Sequence, residues 1–224
     1  MKIATLIASL ILGLILIKLR TTESGDPQSK IGVVILAAGA STRMGRPKQL
    51  LIHRGRTLLR SAVEAALTSV CRPVVVVIGA HAELVMSELE TLPVLVAENQ
   101  GWEEGMSSSI KLGLETLVAN RVDIEGVVVM LCDQPFVSAN VVDGLIDARR
   151  KTGKMIVASA YRETLGVPAF FSRHLFAEIA YLKGNEGARQ VIANHPGDVT
   201  TVSFAEGAVD VDTPRDYEML ETVA

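Results

Sequence analysis

The sequence predicts an α/β fold, a three-layer, Rossmann-like, mainly parallel sheet with helices on both faces. Three observations point there. Short apolar runs alternate with segments of helical period from residue 30 onwards. Apolar residues make up 49% of the chain but aromatic ones only 4%, so Ala, Val, Leu and Ile dominate, as in strands buried on both sides. The length, 224 residues, suits one domain with a sizeable core.

In chain order, "IGVVILAA" (31–38) is a continuous apolar strand, too short for most helices. Residues 57–70 place Leu58, Leu59, Ala62, Val63, Ala66 and Leu67 at helical spacing. After the Pro73 break, "VVVVIG" is a second strand; 81–90 reads as a helix and "PVLVA" as a third strand. Residues 106–118 are helical, with serines at the start suited to capping. "GVVVMLC" is a fourth strand ending at Asp133, and 138–150 is a helix opening on a Ser cap. "MIVASA" is another strand. Beyond it come "VPAFF", a helix from Arg173, a second over 186–193, and a last helix entered at Thr213-Pro214. This alternation implies right-handed crossovers between parallel strands.

Three segments divide the chain: 1–20, 21–30 and 31–224. Residues 3–17 are mostly apolar and uncharged, flanked by Lys2 on one side and Lys18 and Arg20 on the other. As a helix they would reach about 22 Å against a hydrocarbon core of about 30 Å. A short membrane anchor, a signal peptide and a start-site extension all stay open; no small-x-small cleavage site follows Ile17. As an anchor, with the greater positive charge on its carboxyl side, it would tether the domain to the inner face of the membrane. Residues 21–30 are polar, hold Gly25 and Pro27, and read as a linker. With a net charge of −3, nothing in the bulk electrostatics suggests a nucleic-acid binder. Two well-separated cysteines, Cys71 and Cys132, make neither a disulfide framework nor a Cys-x-x-Cys metal pair, which fits a reducing, cytoplasmic compartment.

In such sheets ligands sit beyond the carboxyl ends of the strands. The first strand ends in Leu36, Ala37, Ala38, Gly39, Ala40 and Ser41, after which Arg43, Arg46 and Lys48 fall within six residues. Small residues let a ligand approach the backbone, Gly39 permits positive φ, and loop N–H groups cradle phosphate oxygens. Arg43 suits bidentate phosphate contact and Lys48 a point charge. A solvated loop whose basic residues merely cluster is the plain alternative. Neither the P-loop pattern nor G-x-G-x-x-G is present. Asp133, directly after the fourth strand, reads either as a Mg²⁺ ligand or as a capping residue before Pro135. Asp210 and Asp212 sit at another strand end, and Asp212 alone would also serve as an N-cap.

The stretch "LAAGASTRMGRPKQLL" resembles the signature of the nucleotidyltransferases that include the molybdenum-cofactor cytidylyl- and guanylyltransferases. The resemblance continues through "NQGWEEGMSSSIKLGL", "LCDQPFVS", "GVPAFF", "GNEGAR" and "VDVDTPRDY", about residues 31–220. It implies the nucleotide-diphospho-sugar transferase type of fold. The implied reaction moves a nucleotidyl group from an NTP to a phosphorylated acceptor and releases pyrophosphate. By resemblance Leu36, Ala37, Ala38, Gly39, Arg43, Lys48, Asn99, Gly105 and Ser108 bind nucleotide. Arg43, Lys48 and Asp133 are catalytic, and Asp133 and Asp212 hold Mg²⁺, with Asp210 the weaker alternative. "LAAG" is similar to the cytidylyl branch, so CTP and molybdopterin are the favoured substrates, with a molybdoenzyme or its chaperone as downstream partner. Gly166-Val167-Pro168 departs from the Gly-His-Pro of many molybdopterin enzymes, which keeps a sugar phosphate or another small phosphate open as acceptor. A non-catalytic molybdenum-cofactor-binding accessory protein and an oxidoreductase on the same fold are the readings from other classes. Trp102 reads as packing rather than a stacking platform, Cys132 as core, and the four histidines as surface or structural residues.

Overall fold

The computed structural model describes residues 29–222. Nine strands and seven α-helices follow one another there. The strands are β1 (Ile31–Ala37), β2 (Ile52–His53), β3 (Arg56–Thr57), β4 (Val74–Ile78), β5 (Leu95–Glu98), β6 (Gly126–Leu131), β7 (Ile156–Tyr161), β8 (Thr164–Ser172) and β9 (Val199–Ser203). The helices are α1 (Leu58–Thr68), α2 (Ala82–Leu89), α3 (Met106–Asn120), α4 (Ala139–Thr152), α5 (Phe176–Tyr181), α6 (Ala188–Asn194) and α7 (Pro214–Thr222). The apolar stretch 3–17 lies outside the described residues. Among the described residues no helix is long and apolar enough to cross a membrane.

Seven strands form one sheet in the order β5-β4-β1-β6-β8-β7-β9. All run parallel except β8, which is antiparallel to both β6 and β7. The expected mainly parallel α/β sheet is therefore present. The strands differ from expectation at the carboxyl-terminal half, where "VPAFF" is the core of a nine-residue strand. Strand β9, with no fully buried residue in "VTTVS", and the two-residue hairpin β2–β3 carry too little apolar signal to be seen in the sequence.

The apolar runs read as they do because both sheet faces are covered. In β1, Val33, Ile35 and Ala37 point into one core with Leu59 and Val63 of α1, Val85 of α2 and Leu145 of α4. Val34 and Leu36 point into the other, with Ile110 and Leu114 of α3, Ile179 of α5 and Val191 of α6. Each Val, Leu or Ile side chain so removed from water contributes about 1.5–3 kcal/mol. Helix α3 lies unusually close to the sheet at Gly113, where a Cβ would meet Val34 Cγ1 at 2.4 Å.

Helix ends explain several local choices. Thr57 Oγ1 accepts from the Arg60 N–H at 3.0 Å and caps α1. The Arg72 guanidinium donates to the carbonyls of Ala66, Leu67, Ser69 and Cys71 at the other end of that helix. Ser138 makes no side-chain cap bond at α4, and the cap position of α3 is Gly105 rather than a serine. Thr213, not Asp212, caps α7: its Oγ1 accepts from the Asp216 N–H, and Asp216 accepts from the Thr213 N–H at 2.8 Å. Asp212 is thereby left for other work.

Candidate active site

The chain reverses strand order at β1. Its successor β4 lies on one side and β6 on the other, so a crevice opens beyond the carboxyl ends of β1 and β6. Leu36, Ala37, Ala38, Gly39, Lys48, Gly105 and Asp133 line this cleft, together with Trp102. An adjoining cavity of about 390 Å³ shares Leu36, Lys48 and Asp133 and adds Arg43 and Asp212.

The loop after β1 is held from beneath by Gln49, a residue the sequence reading passed over. Its side chain is 1% exposed, and its Nε2 donates to the carbonyls of Ala37 and Gly39, both at 2.9 Å. Ser41 Oγ donates to Gln49 Oε1 and accepts from the Lys48 N–H at 3.1 Å. Ala40 O is bonded to the His81 ring at 3.0 Å, so this histidine braces the loop. Among the described residues nothing accepts from the N–H groups of Gly39 and Ala40. Gly39 is not in the left-handed region expected of it; Ser41 (φ 54°) and Gly45 (φ 72°) make the turn. A Cβ at Gly39 would meet no atom within 4 Å. The glycine leaves the loop open toward the cleft rather than relieving backbone strain.

This bracing presents Lys48 to two carboxylates. Its ammonium donates to Asp133 at 2.5 Å and to Asp212 at 2.7 Å. The three side chains come from the first loop, the end of β6 and the entry to α7. Burial alone would lower the lysine pKa, but the charges and bonds of Asp133 and Asp212 raise it well above its ordinary value. Arg43, mostly exposed, donates to the second Asp212 oxygen at 2.9 Å. Burial pushes the Asp212 carboxyl up, yet Lys48 and Arg43 together hold it below its ordinary value. Among the described residues Asp210 makes no ion pair of that kind, and the Gln134 amide and the Arg189 charge offset its surroundings only in part. Burial and the charges of Asp133 and Asp212 push it up to about 6. The Oδ1 atoms of Asp133 and Asp210 are buried without a partner.

The second wall is built around Gly105. Its φ of 106° is one an L side chain rarely adopts, and a Cβ would lie 2.4 Å from Gly184 O. The Ser107 N–H donates to that same carbonyl at 3.0 Å, which joins the 101–106 turn to the 183–187 turn. Asn99 and Ser108 do not line the cleft. Asn99 is 6% exposed, and its Nδ2 donates to Ser108 and Ser109 while its Oδ1 accepts from Gly101. Ser108 Oγ donates to Gly105 O at 2.8 Å. The two form a wall behind Gly105 and Ser109, which do line the cleft. Asn185, from "GNEGAR", does line it.

Comparisons with known proteins agree with this architecture. The sequence profile of the MobA-like NTP transferase domain matches residues 33–199, which hold the first loop, Lys48 and Asp133. The chain belongs to the MobA-like NTP transferase family. It is 34% identical over 192 residues to nicotine blue oxidoreductase of Paenarthrobacter nicotinovorans, covering 80% of this chain and 91% of that one. The purine catabolism protein PucB of Bacillus subtilis is 28% identical over 197 residues, 84% of this chain and 94% of its own. The Mycobacterium tuberculosis protein Rv0371c, solved in complex with manganese, superimposes with a TM-score of 0.72 at 28% identity, over 87% of this chain and 99% of its own. As a MobA-like protein the chain belongs to a nucleotidyltransferase family of transferases.

Proposed function

We propose that the protein transfers a nucleotidyl group, CMP from CTP, onto the phosphate of an acceptor, molybdopterin, and releases pyrophosphate. The carrying observation is that the Lys48 ammonium, delivered by the open loop after β1, meets Asp133 and Asp212 in one cleft. An acceptor phosphate oxygen attacks the α-phosphorus of the NTP. The bond to the bridging oxygen of the β-phosphate breaks, and that oxygen leaves with pyrophosphate. The attacking phosphate is already ionised near neutral pH, so the reaction needs no general base. The chain's part is to hold two anions together and balance their charge. Gly39 and Ala40 offer free N–H groups to phosphate oxygens. Lys48 and Arg43 supply positive charge.

Asp133 and Asp212 fit Mg²⁺. Among the described residues no three His, Cys, Asp or Glu side chains form a cage. Mg²⁺ asks for less, since one or two carboxylates and substrate phosphates suffice. The unpartnered Asp133 Oδ1 is an oxygen of the required kind. The manganese complex of Rv0371c lends the same support. Bound there, the ion would neutralise phosphate charge.

Val167 stands where many molybdopterin enzymes carry His, so a sugar phosphate is the competing acceptor. A redox reading draws on the relative named an oxidoreductase, although the first loop lacks G-x-G-x-x-G. The test is pyrophosphate release from each NTP against molybdopterin and sugar phosphates, with and without Mg²⁺. NAD(P)H consumption is followed in parallel. Release with CTP and molybdopterin, lost in Asp133→Asn, supports the proposal. Binding of CTP with no release from any pair points to an accessory protein, and nicotinamide turnover to the redox reading.

A further inference from the structure

The cavity beside Lys48 holds features that nucleotidyl transfer as such does not use. Its walls are apolar: Leu36 of β1, Val129 and Leu131 of β6, Ile110 of α3 and Val167 of β8. Among its polar lining, the buried atoms without a partner are all acceptors. Gln134 is 3% exposed, and its orientation is fixed: Nε2 donates to Val167 O and to Gly207 O, both at 3.2 Å. Turning the amide over would set Oε1 against two carbonyls, so Oε1 is the atom left over. Gln134 Oε1, Asp133 Oδ1 and Asp210 Oδ1 are the buried side-chain oxygens without a partner among the described residues, and all three residues line this cavity. The Gln134 amide lies against the Asp210 carboxyl.

A buried acceptor left unpaired costs about 1–3 kcal/mol. Three in one cavity ask for a ligand that brings hydrogens. Asp133 is accounted for by the reaction centre; Gln134 and Asp210 are not. Arg189 also lines the cavity, with a single hydrogen bond, to the Tyr161 hydroxyl at 3.3 Å, no ion pair among the described residues, and a charge that acts on Asp210. Gly166 leaves the space that hydroxyl occupies, since a Cβ there would lie 2.1 Å from it. The cavity thus combines apolar walls, a pair of acceptors and a cation.

We infer that Gln134 selects the acceptor, its Oε1 and Asp210 Oδ1 accepting from adjacent N–H donors on the edge of a flat nitrogen heterocycle. The apolar side chains cover the ring faces, and Arg189 meets an anionic substituent. A polyol would also bring donors, but it would set hydroxyls against five aliphatic side chains. The inference rests on the proposed reaction in one respect only, that the ring belongs to the acceptor.

The test is binding to the full chain in the presence of Mg²⁺ and saturating CTP. The probes are 2-aminopyrimidin-4-one, its 2-dimethylamino-1-methyl derivative, which lacks the donors, and glucose 1-phosphate, read by NMR titration. The wild type is expected to bind the donor-bearing ring at least tenfold more tightly than the methylated one. Gln134→Met, checked for folding by thermal melting, should bring the two within twofold. If that variant fails to fold, the wild-type ratio alone decides. A wild type indifferent to methylation, discrimination that persists in a folded Gln134→Met, or preference for glucose 1-phosphate overturns the inference. The CTP affinity of the wild type, measured in the same series, tests the nucleotidyl-transfer reading separately.

Discussion

Asp210 should make the protein less stable at neutral pH than it would be without that charge. Its carboxyl is pushed up from an ordinary value of 3.8 to about 6 by burial and by Asp133 and Asp212. The folded state therefore holds this proton more tightly than the unfolded chain does between about pH 4 and 6. The stabilising contribution is complete below pH 4 and is lost as the pH rises through 6. A displacement of about two pH units corresponds to about 3 kcal/mol at full burial. The residue is only partly buried, and solvent screening reduces this to roughly 1.5 kcal/mol. Asp210→Asn removes the titration, so it should be more stable than wild type at pH 7.5 by about that amount. For a domain of this size the gain is a rise in Tm of about 3–6 °C. Melting both proteins from pH 4 to 8 in EDTA is the assay. The gap should close as the pH approaches 4. A gap that is absent at pH 7.5, or that stays constant across the range, would refute the reasoning.

Other outcomes follow from the same geometry. Lys48→Ala leaves Asp133 and Asp212 facing each other without their shared cation and should cut turnover by about 10²–10³, read as kcat for pyrophosphate release. Gly113→Ala gains up to about 1 kcal/mol of helix propensity. It also places a methyl 2.4 Å from Val34 Cγ1, inside a stiff β-branched wall, at a cost of about 1–3 kcal/mol. The net result is a lower Tm, and a higher one would show that α3 can lift off the sheet. Cys71 and Cys132 are buried and pushed up to about 12, so neither should react with a thiol reagent at pH 8 until denaturant is added. Both should then react.

The sequence revealed most where one physical cause acts on consecutive residues. Strands β1, β4 and β6 sit between two helical layers, so "VVIL", "VVVVI" and "VVVML" are apolar throughout and needed no partner to be seen. Strand β9 lies at the sheet edge with none of its residues fully buried, and its composition carries no comparable mark. Hairpin β2–β3 is two residues per strand and turns through Arg54 (φ 50°) and Gly55 (φ 77°). In the site, Arg43, Lys48 and Asp133 were legible because charge placed beyond a strand is conspicuous, whereas Asp210 and Asp212, expected at a strand end, lie past β9 in the loop that enters α7. The serines opening α3 looked like caps from local spacing. The turn at Gly105 is instead set by Gly184, far along the chain, and no local pattern encodes that contact.

Gln134 and Gln49 show the deeper reason. Each is an uncharged amide next to a conspicuous charge, and each works through partners that only the fold supplies. Gln49 reaches back 12 and 10 residues to two carbonyls of the first loop. Gln134 reaches forward 33 and 73 residues to Val167 O and Gly207 O. An amide has two donors on one atom and an acceptor on the other. Pinning the donors to the backbone therefore decides what the acceptor faces. In Gln49 the acceptor turns inward to Ser41 and stiffens the loop that carries Lys48. In Gln134 it is left unpaired in a cavity. The same side chain thus shapes the loop that carries Lys48 in one place and leaves a free acceptor atom in the other. What separates them is whether the protein itself supplies the last hydrogen-bond donor.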